Sequence, residues 1–168
     1  SMEDFMSASD CSDPECATYK GDMTGTQPEE KKSVEKLHGK QFPENLSILF
    51  VDDDLILRKL FRRAVKKVDP SFIVQEAACG EIAVNLCESE HFHLIFVDQY
   101  MASVDKQLLG TDTIRVLRTK GVDSKLCGLS ANDLKDSFLN AGADYFMLKP
   151  MPCETEGLRR ELLQMVGE

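Results

Sequence analysis

Five short apolar runs alternate with five segments of helical period, and this alternation limits what the chain can fold into more than any other feature. The runs are "LSILFV", "FIVQEA", "HLIFVD", "KLCGLSA" and "YFML". Most are continuously apolar rather than alternating, which is the signature of strands buried on both faces. After the first, Leu57, Leu60, Phe61, Ala64, Val65 and Val68 recur at helical spacing. "GEIAVNLCES" and "GTDTIRVLRTK" read as helices, and "DLKDSFLNAGA" reads as a helix closed by Gly142. Leu158, Leu162, Met165 and Val166 mark a last amphipathic helix. Five βα units in succession predict an α/β fold: a doubly wound, five-stranded parallel sheet with helices on both faces.

Not all of the 168 residues take part in this pattern. Residues 1–44 hold few large apolar side chains and much Ser, Thr, Asp, Glu, Gly and Pro. They cannot bury a core of their own, so they are expected to form a disordered acidic N-terminal arm, with one local helix at "PEEKKSVEKLHG". Residues 45–168 carry the fold.

The formal charge of −9 argues against a nucleic-acid partner and for proteins or cations. No apolar stretch approaches the ~20 residues of a membrane span, and the polar N-terminus does not read as a secretory signal. Cys11, Cys16, Cys79, Cys87, Cys127 and Cys153 include no C-x-x-C pair. They read as reduced thiols of a cytoplasmic protein, or of a nuclear one in a eukaryotic cell.

Open parallel sheets place their sites beyond the carboxyl ends of the strands, where strand order reverses. The residues at those ends are therefore expected in one crevice. The first run ends at Asp52, Asp53 and Asp54, the third at Asp98, the fourth at Ser130 and Ala131, and the fifth at Lys149-Pro150. Clustered carboxylates repel one another unless a cation intervenes. A hard divalent ion, Mg2+ or Mn2+, resolves this with oxygen ligands and leaves room for phosphate oxygens. A metal, a lysine and a hydroxyl together describe a phosphoryl pocket, and one carboxylate within it can serve as nucleophile. Asp98, alone at the end of the central run, is the best candidate. Asp54 reads as the cap of the following helix.

The segments "ILFVDDD", "LIFVDQYM", "GLSA" and "YFMLKP", in this order and each at a strand end, resemble the receiver domain of two-component response regulators. The resemblance runs from Leu46 to Val166. It implies the strand order 2-1-3-4-5 and a role for each matching residue. Asp98 would be the phosphoacceptor, and Asp53, Asp98 and the backbone carbonyl of Tyr100 would ligate the metal, with Asp52 acting through water. Ser130, Ala131 and Lys149 would hold the phosphoryl group, Ser130 and Phe146 would be the switch pair, and the Lys149–Pro150 bond would be cis.

The implied function is Mg-dependent acceptance of a phosphoryl group from a histidine kinase or a histidine phosphotransfer protein. Acceptance switches a protein-interaction surface toward a downstream target the sequence does not name. The chain is a signalling module, not an enzyme with a substrate of its own. On this reading no DNA-binding domain follows the last helix, so the chain is a stand-alone shuttle or a receiver segment of a hybrid histidine kinase. The alternative is a pseudo-receiver, a binding module that is never phosphorylated. A phosphohydrolase with Asp52 as nucleophile would need a cap and a further acidic motif that the chain does not offer.

The chain departs from the family pattern at Ala102, where Pro is usual, and in a longer loop whose excess lies near "DKQLL". Tyr100 stands where small or polar side chains are common, which predicts shielding of the phosphoryl group and a long lifetime. Arg58, Lys59, Arg62, Arg63, Lys66 and Lys67 fill the face of the first helix opposite its apolar stripe. That face reads either as solvated or as a docking surface for an acidic phosphodonor.

Overall fold

A computed structural model of the chain describes residues 41–101 and 108–167. The expected helix within "PEEKKSVEKLHG", together with Cys11, Cys16 and Ala102, falls outside the described residues.

The described elements follow the sequence pattern closely: β1 Ser47–Val51, α1 Leu55–Val68, β2 Ile73–Ala77, α2 Gly80–Ser89, β3 Leu94–Asp98, α3 Gly110–Thr119, β4 Lys125–Ser130, α4 Lys135–Ala141, β5 Tyr145–Leu148 and α5 Thr155–Val166. The strands form one sheet of order β2-β1-β3-β4-β5, parallel throughout. The order is that of the doubly wound folds whose crevice opens between the first and third strands.

β3 lies at the centre and is buried along its whole length. Its side chains alternate between two cores, because successive residues of a strand point to opposite faces. Leu94 and Phe96 join Ile48, Phe50, Phe61, Val65, Leu158 and Leu162 beneath α1 and α5. Ile95 and Val97 join Leu49, Val51, Ala83, Ile114, Leu117 and Phe138 beneath α2, α3 and α4. A strand that feeds two cores has no position for an outward polar residue, which is why the run "LIFV" is unbroken.

Local chemistry sets the helix ends. Asp54 caps α1, its Oδ1 accepting the N–H groups of Ile56 at 2.8 Å and Leu57 at 3.2 Å. Gly142 ends α4 at φ 109°, a left-handed conformation that glycine adopts without a steric penalty. Arg118 gathers the opposite pole of the sheet. It donates to the carbonyls of Gly142 at 2.8 Å, Val122 at 2.7 Å and Ser124 at 3.0 Å, and it pairs with Asp144 at 2.7 Å.

α1 differs from its helical-wheel reading. Of the predicted apolar stripe, Phe61 and Val65 are buried, and Phe61 stacks on Phe50 with ring centroids 4.1 Å apart. Leu57 and Leu60 are 38% and 51% exposed. The stripe is wider than the seam that the sheet and α5 offer it. The basic face is also split. Arg58 and Arg62 both reach Glu76 on β2, at 3.6 and 3.2 Å, and Arg62 donates to the Val74 carbonyl at 2.6 Å. Lys59, Arg63, Lys66 and Lys67 face solvent.

His91 pairs with Asp123 at 3.2 Å, and the Nδ1 of His93 accepts the Ser47 N–H at 3.0 Å. Both histidines therefore serve the amino-terminal pole of the sheet, away from the strand ends that carry the acids. Burial, aided by the Glu90 charge, pushes the Cys87 thiol up to about 11, and burial raises the Cys127 thiol further. Among the described residues no helix is long and apolar enough to cross a membrane.

Candidate functional site

The carboxyl edge of the sheet brings the predicted acids together. Asp52 follows β1 and is 1% exposed, while Asp98 ends β3 and is 7% exposed. Asp53, next to Asp52, is exposed. One ligand oxygen from each of the three lies within 4.8 Å of the others. The parallel pairing of β1 with β3, Val51 opposite Val97, sets Asp52 level with Asp98.

Lys149 reaches this cluster from the end of β5. Its Nζ donates to Asp52 Oδ2 at 2.7 Å and lies 2.8 Å from Asp98 Oδ1. The Lys149–Pro150 peptide is cis. The Lys149 backbone N–H donates to the Ser130 carbonyl at 2.8 Å, which ties the lysine to β4. Ser130 is 1% exposed, and its Oγ accepts the Asn132 N–H at 3.1 Å. Ala131 lies beside it on the surface. Asp52 is held from both sides: its Oδ1 accepts the Asp54 N–H at 2.9 Å, and its carbonyl accepts from Arg58 at 2.6 Å.

The electrostatics follow from this crowding. Burial lifts the Asp98 carboxyl above its ordinary value; the bond to Lys149 pulls the other way, and the charges of Asp52 and Asp53 add to the lift. Burial alone would lower Lys149, but its bonds to Asp52 and Asp98 outweigh this and hold the ammonium above its usual range. Two carboxylates on one ammonium, with the third beside them, form a site with oxygen ligands to spare. Hard donors so close together fit a hard divalent cation, which would offset both the burial and the repulsion that raise Asp98.

The remaining predicted residues lie outside the acidic cluster. Tyr100 is 59% exposed, so its ring stands largely in solvent. Phe146 is half-buried on β5, with its ring 5.7 Å from that of Phe138 on α4. Phe138 in turn occupies the space that Gly128 leaves open, since a Cβ there would sit 2.2 Å from the ring.

Two contributors escaped the sequence reading. Arg58 appeared only as one charge on a basic face, yet it binds the Asp52 carbonyl. Gln99 is buried beside Asp98 and bonds to the start of α3. The one sequence signal was a second polar residue, Gln99, following Asp98 at the end of an unbroken apolar run.

A family model for the response regulator receiver domain matches residues 48–161. The two-component response regulator ORR41 of Oryza sativa subsp. japonica is 31% identical over 118 residues, covering 67% of this chain and 90% of that protein. The sensor protein EvgS of Escherichia coli O157:H7 is 30% identical over 126 residues, which are 73% of this chain and 10% of that protein. Among solved structures, the receiver domain of the sensor histidine kinase PA1611 from Pseudomonas aeruginosa PAO1, with a magnesium ion in its active site cleft, superposes with a TM-score of 0.63. It is 23% identical, the match covers 74% of this chain and 99% of that one, and the likeness extends to the fold. Matched span, strand order and relatives agree, and the chain belongs to the response regulator receiver domain family of two-component signalling.

Proposed function

We propose that this chain accepts a phosphoryl group on Asp98 from a phosphohistidine donor, in a reaction that depends on Mg2+, and that acceptance reshapes a protein-binding surface. The observation that carries this reading is the bridge from Lys149 to Asp52 and Asp98, at 2.7 and 2.8 Å, beside the exposed Asp53.

Asp53, Asp98 and the Tyr100 carbonyl would hold the cation directly, and Asp52 through water. When bound, the ion supplies positive charge to the equatorial phosphoryl oxygens. The rest is done by side chains. An Asp98 carboxylate oxygen attacks phosphorus as the P–N bond to the donor imidazole breaks, and the imidazole leaves as the neutral base after taking a proton. Lys149 stays charged beside the developing negative charge, because its bonds to the acids hold its proton. Ser130 and the Ala131 N–H stand at the end of β4, where they can donate to a phosphoryl oxygen.

The donor would be a histidine kinase or a histidine phosphotransfer protein, and likeness to most of one response regulator and to part of a sensor protein supports a stand-alone chain or a hybrid-kinase segment as its setting. α1 supports the same reading. Leu55, Ile56, Leu57 and Leu60 are exposed next to the acidic cluster, with Lys59 and Arg63 beside them.

The test is intact-mass spectrometry after incubation with acetyl phosphate and Mg2+. Wild type is expected to gain one phosphoryl group, and Asp98→Asn none. A wild type that stays unlabelled, with protein donors as well, would make the chain a binding module instead.

A further inference from the structure

Gln99 is a buried amide, 6% exposed, and buried amides need partners. Its N–H donates to the Leu129 carbonyl at 3.0 Å, which extends the pairing of β3 with β4 past Asp98. Its other polar groups all meet the first residues of α3. The Gln99 carbonyl accepts the Gly110 N–H at 2.9 Å, and Oε1 accepts the Thr111 N–H at 3.0 Å. Nε2 donates to Thr111 Oγ1 at 3.5 Å.

The first N–H groups of a helix have no partners within it. The cap residue of α3 is Leu109, whose side chain makes no capping bond. Gln99 does for α3 what Asp54 does for α1, but from a different element. Gly110 makes the approach close. A Cβ at that position would stand 2.3 Å from the Asp98 carbonyl oxygen, 2.8 Å from the Asp98 carbonyl carbon and 2.9 Å from Gln99 Cα. The first turn of α3 therefore bears on the peptide between Asp98 and Gln99 with no side chain between them.

We infer that Gln99 is a positioning residue: by capping α3 across the chain, it fixes the Asp98–Tyr100 backbone in the arrangement a divalent cation requires. The inference rests on the cation reading proposed above. Octahedral Mg2+ tolerates little play in its ligands. The Tyr100 ring is largely in solvent, so anchorage of the Tyr100 carbonyl falls to its buried neighbours, Gln99 before it and Met101 after it.

Gln99→Met keeps the side-chain volume and removes the amide. Leu109→Ser gives α3 a cap of its own, so the double variant separates helix stability from ligand placement. Mg2+ is titrated into 15N-labelled protein while amide shifts are followed, and thermal unfolding is measured without the ion. Gln99→Met is expected to bind Mg2+ about tenfold more weakly, the scale seen when supporting groups around a metal are removed, and to melt lower. Gln99→Met/Leu109→Ser is expected to regain the melting temperature while Mg2+ binding stays weak. Wild-type Mg2+ affinity in Gln99→Met, or recovery of affinity together with stability in the double variant, would reduce Gln99 to a helix cap. A wild type whose amides do not respond to Mg2+ would instead overturn the cation reading beneath the inference.

Discussion

Asp98 occupies a place that disfavours its own charge. Burial beside two other carboxylates holds its carboxyl above the ordinary value of 3.8. Between that value and the raised one the folded state binds more protons than the unfolded chain, so stability falls as pH rises through the window. Above the window the penalty is complete. Asp98→Asn lacks it, and Lys149 retains Asp52 at 2.7 Å. In buffer free of divalent cations at neutral pH, the variant should therefore melt a few degrees above wild type, a gain of about 1 kcal/mol in a domain of this size. The gain should shrink as pH falls toward 3.8. Added Mg2+ should stabilise wild type more than the variant, because a ligand stabilises the form that binds it. A scanning calorimetry series over pH, with and without Mg2+, checks both signs. A variant less stable than wild type at every pH would mean that the bond to Lys149 outweighs the burial of Asp98.

At the scale of the element, α1 separates what periodicity reveals from what it hides. The spacing of Phe61 and Val65 was enough to place their face on the sheet. Nothing in the spacing said that Leu57 and Leu60, in the same stripe, would stay 38% and 51% exposed. That depends on how far the sheet and α5 extend beneath the helix, which is non-local information. The same is true of Arg58 and Arg62, whose partner Glu76 belongs to a strand reached only after the next turn. The sharpened surface is an apolar patch with Lys59 and Arg63 as its solvent-facing charges. Reversing both to Glu should leave stability nearly unchanged, since exposed charges contribute at most about 1 kcal/mol. Labelling by acetyl phosphate should also stay at the wild-type rate. Transfer from an acidic protein donor should slow roughly tenfold and lose its sensitivity to salt, because charge complementarity acts mainly on the association rate. Stopped-flow transfer at two ionic strengths measures this, and equal slowing with both donors would exclude a docking role for the two charges.

At the scale of the whole molecule, the fold was legible because the central strand serves two cores, and the clustered acids, Ser130 and Lys149 stand at strand ends. Sequence order and strand ends therefore mapped onto a single crevice. The cap on α3 was not legible, because it joins residues 12 positions apart and uses a glutamine where the pattern of a helix start asks for Ser or Asp. The same topology says where a signal can travel. Ser130 and Lys149 lie on neighbouring strands joined at 2.8 Å, and Phe146 follows on β5 against Phe138 of α4. The side of the sheet formed by β2, β1 and α1 is reached from Ser130 through the Lys149–Asp52 and Asp52–Arg58 bonds, which are polar links at the site itself rather than packed rings. Beryllofluoride, which stands in for the phosphoryl group, should therefore shift the population of conformers around β4, α4 and β5 while the α1–β2 side stays as it was. Hydrogen exchange read by mass spectrometry should show changed protection in peptides spanning 128–148 and little change in those spanning 55–77. Ser130→Ala removes the hydroxyl that would meet the new oxygens and should abolish most of the change without preventing Asp98 from being labelled. Changes spread evenly over both sides, or unaltered by Ser130→Ala, would show that the response does not pass through the end of β4.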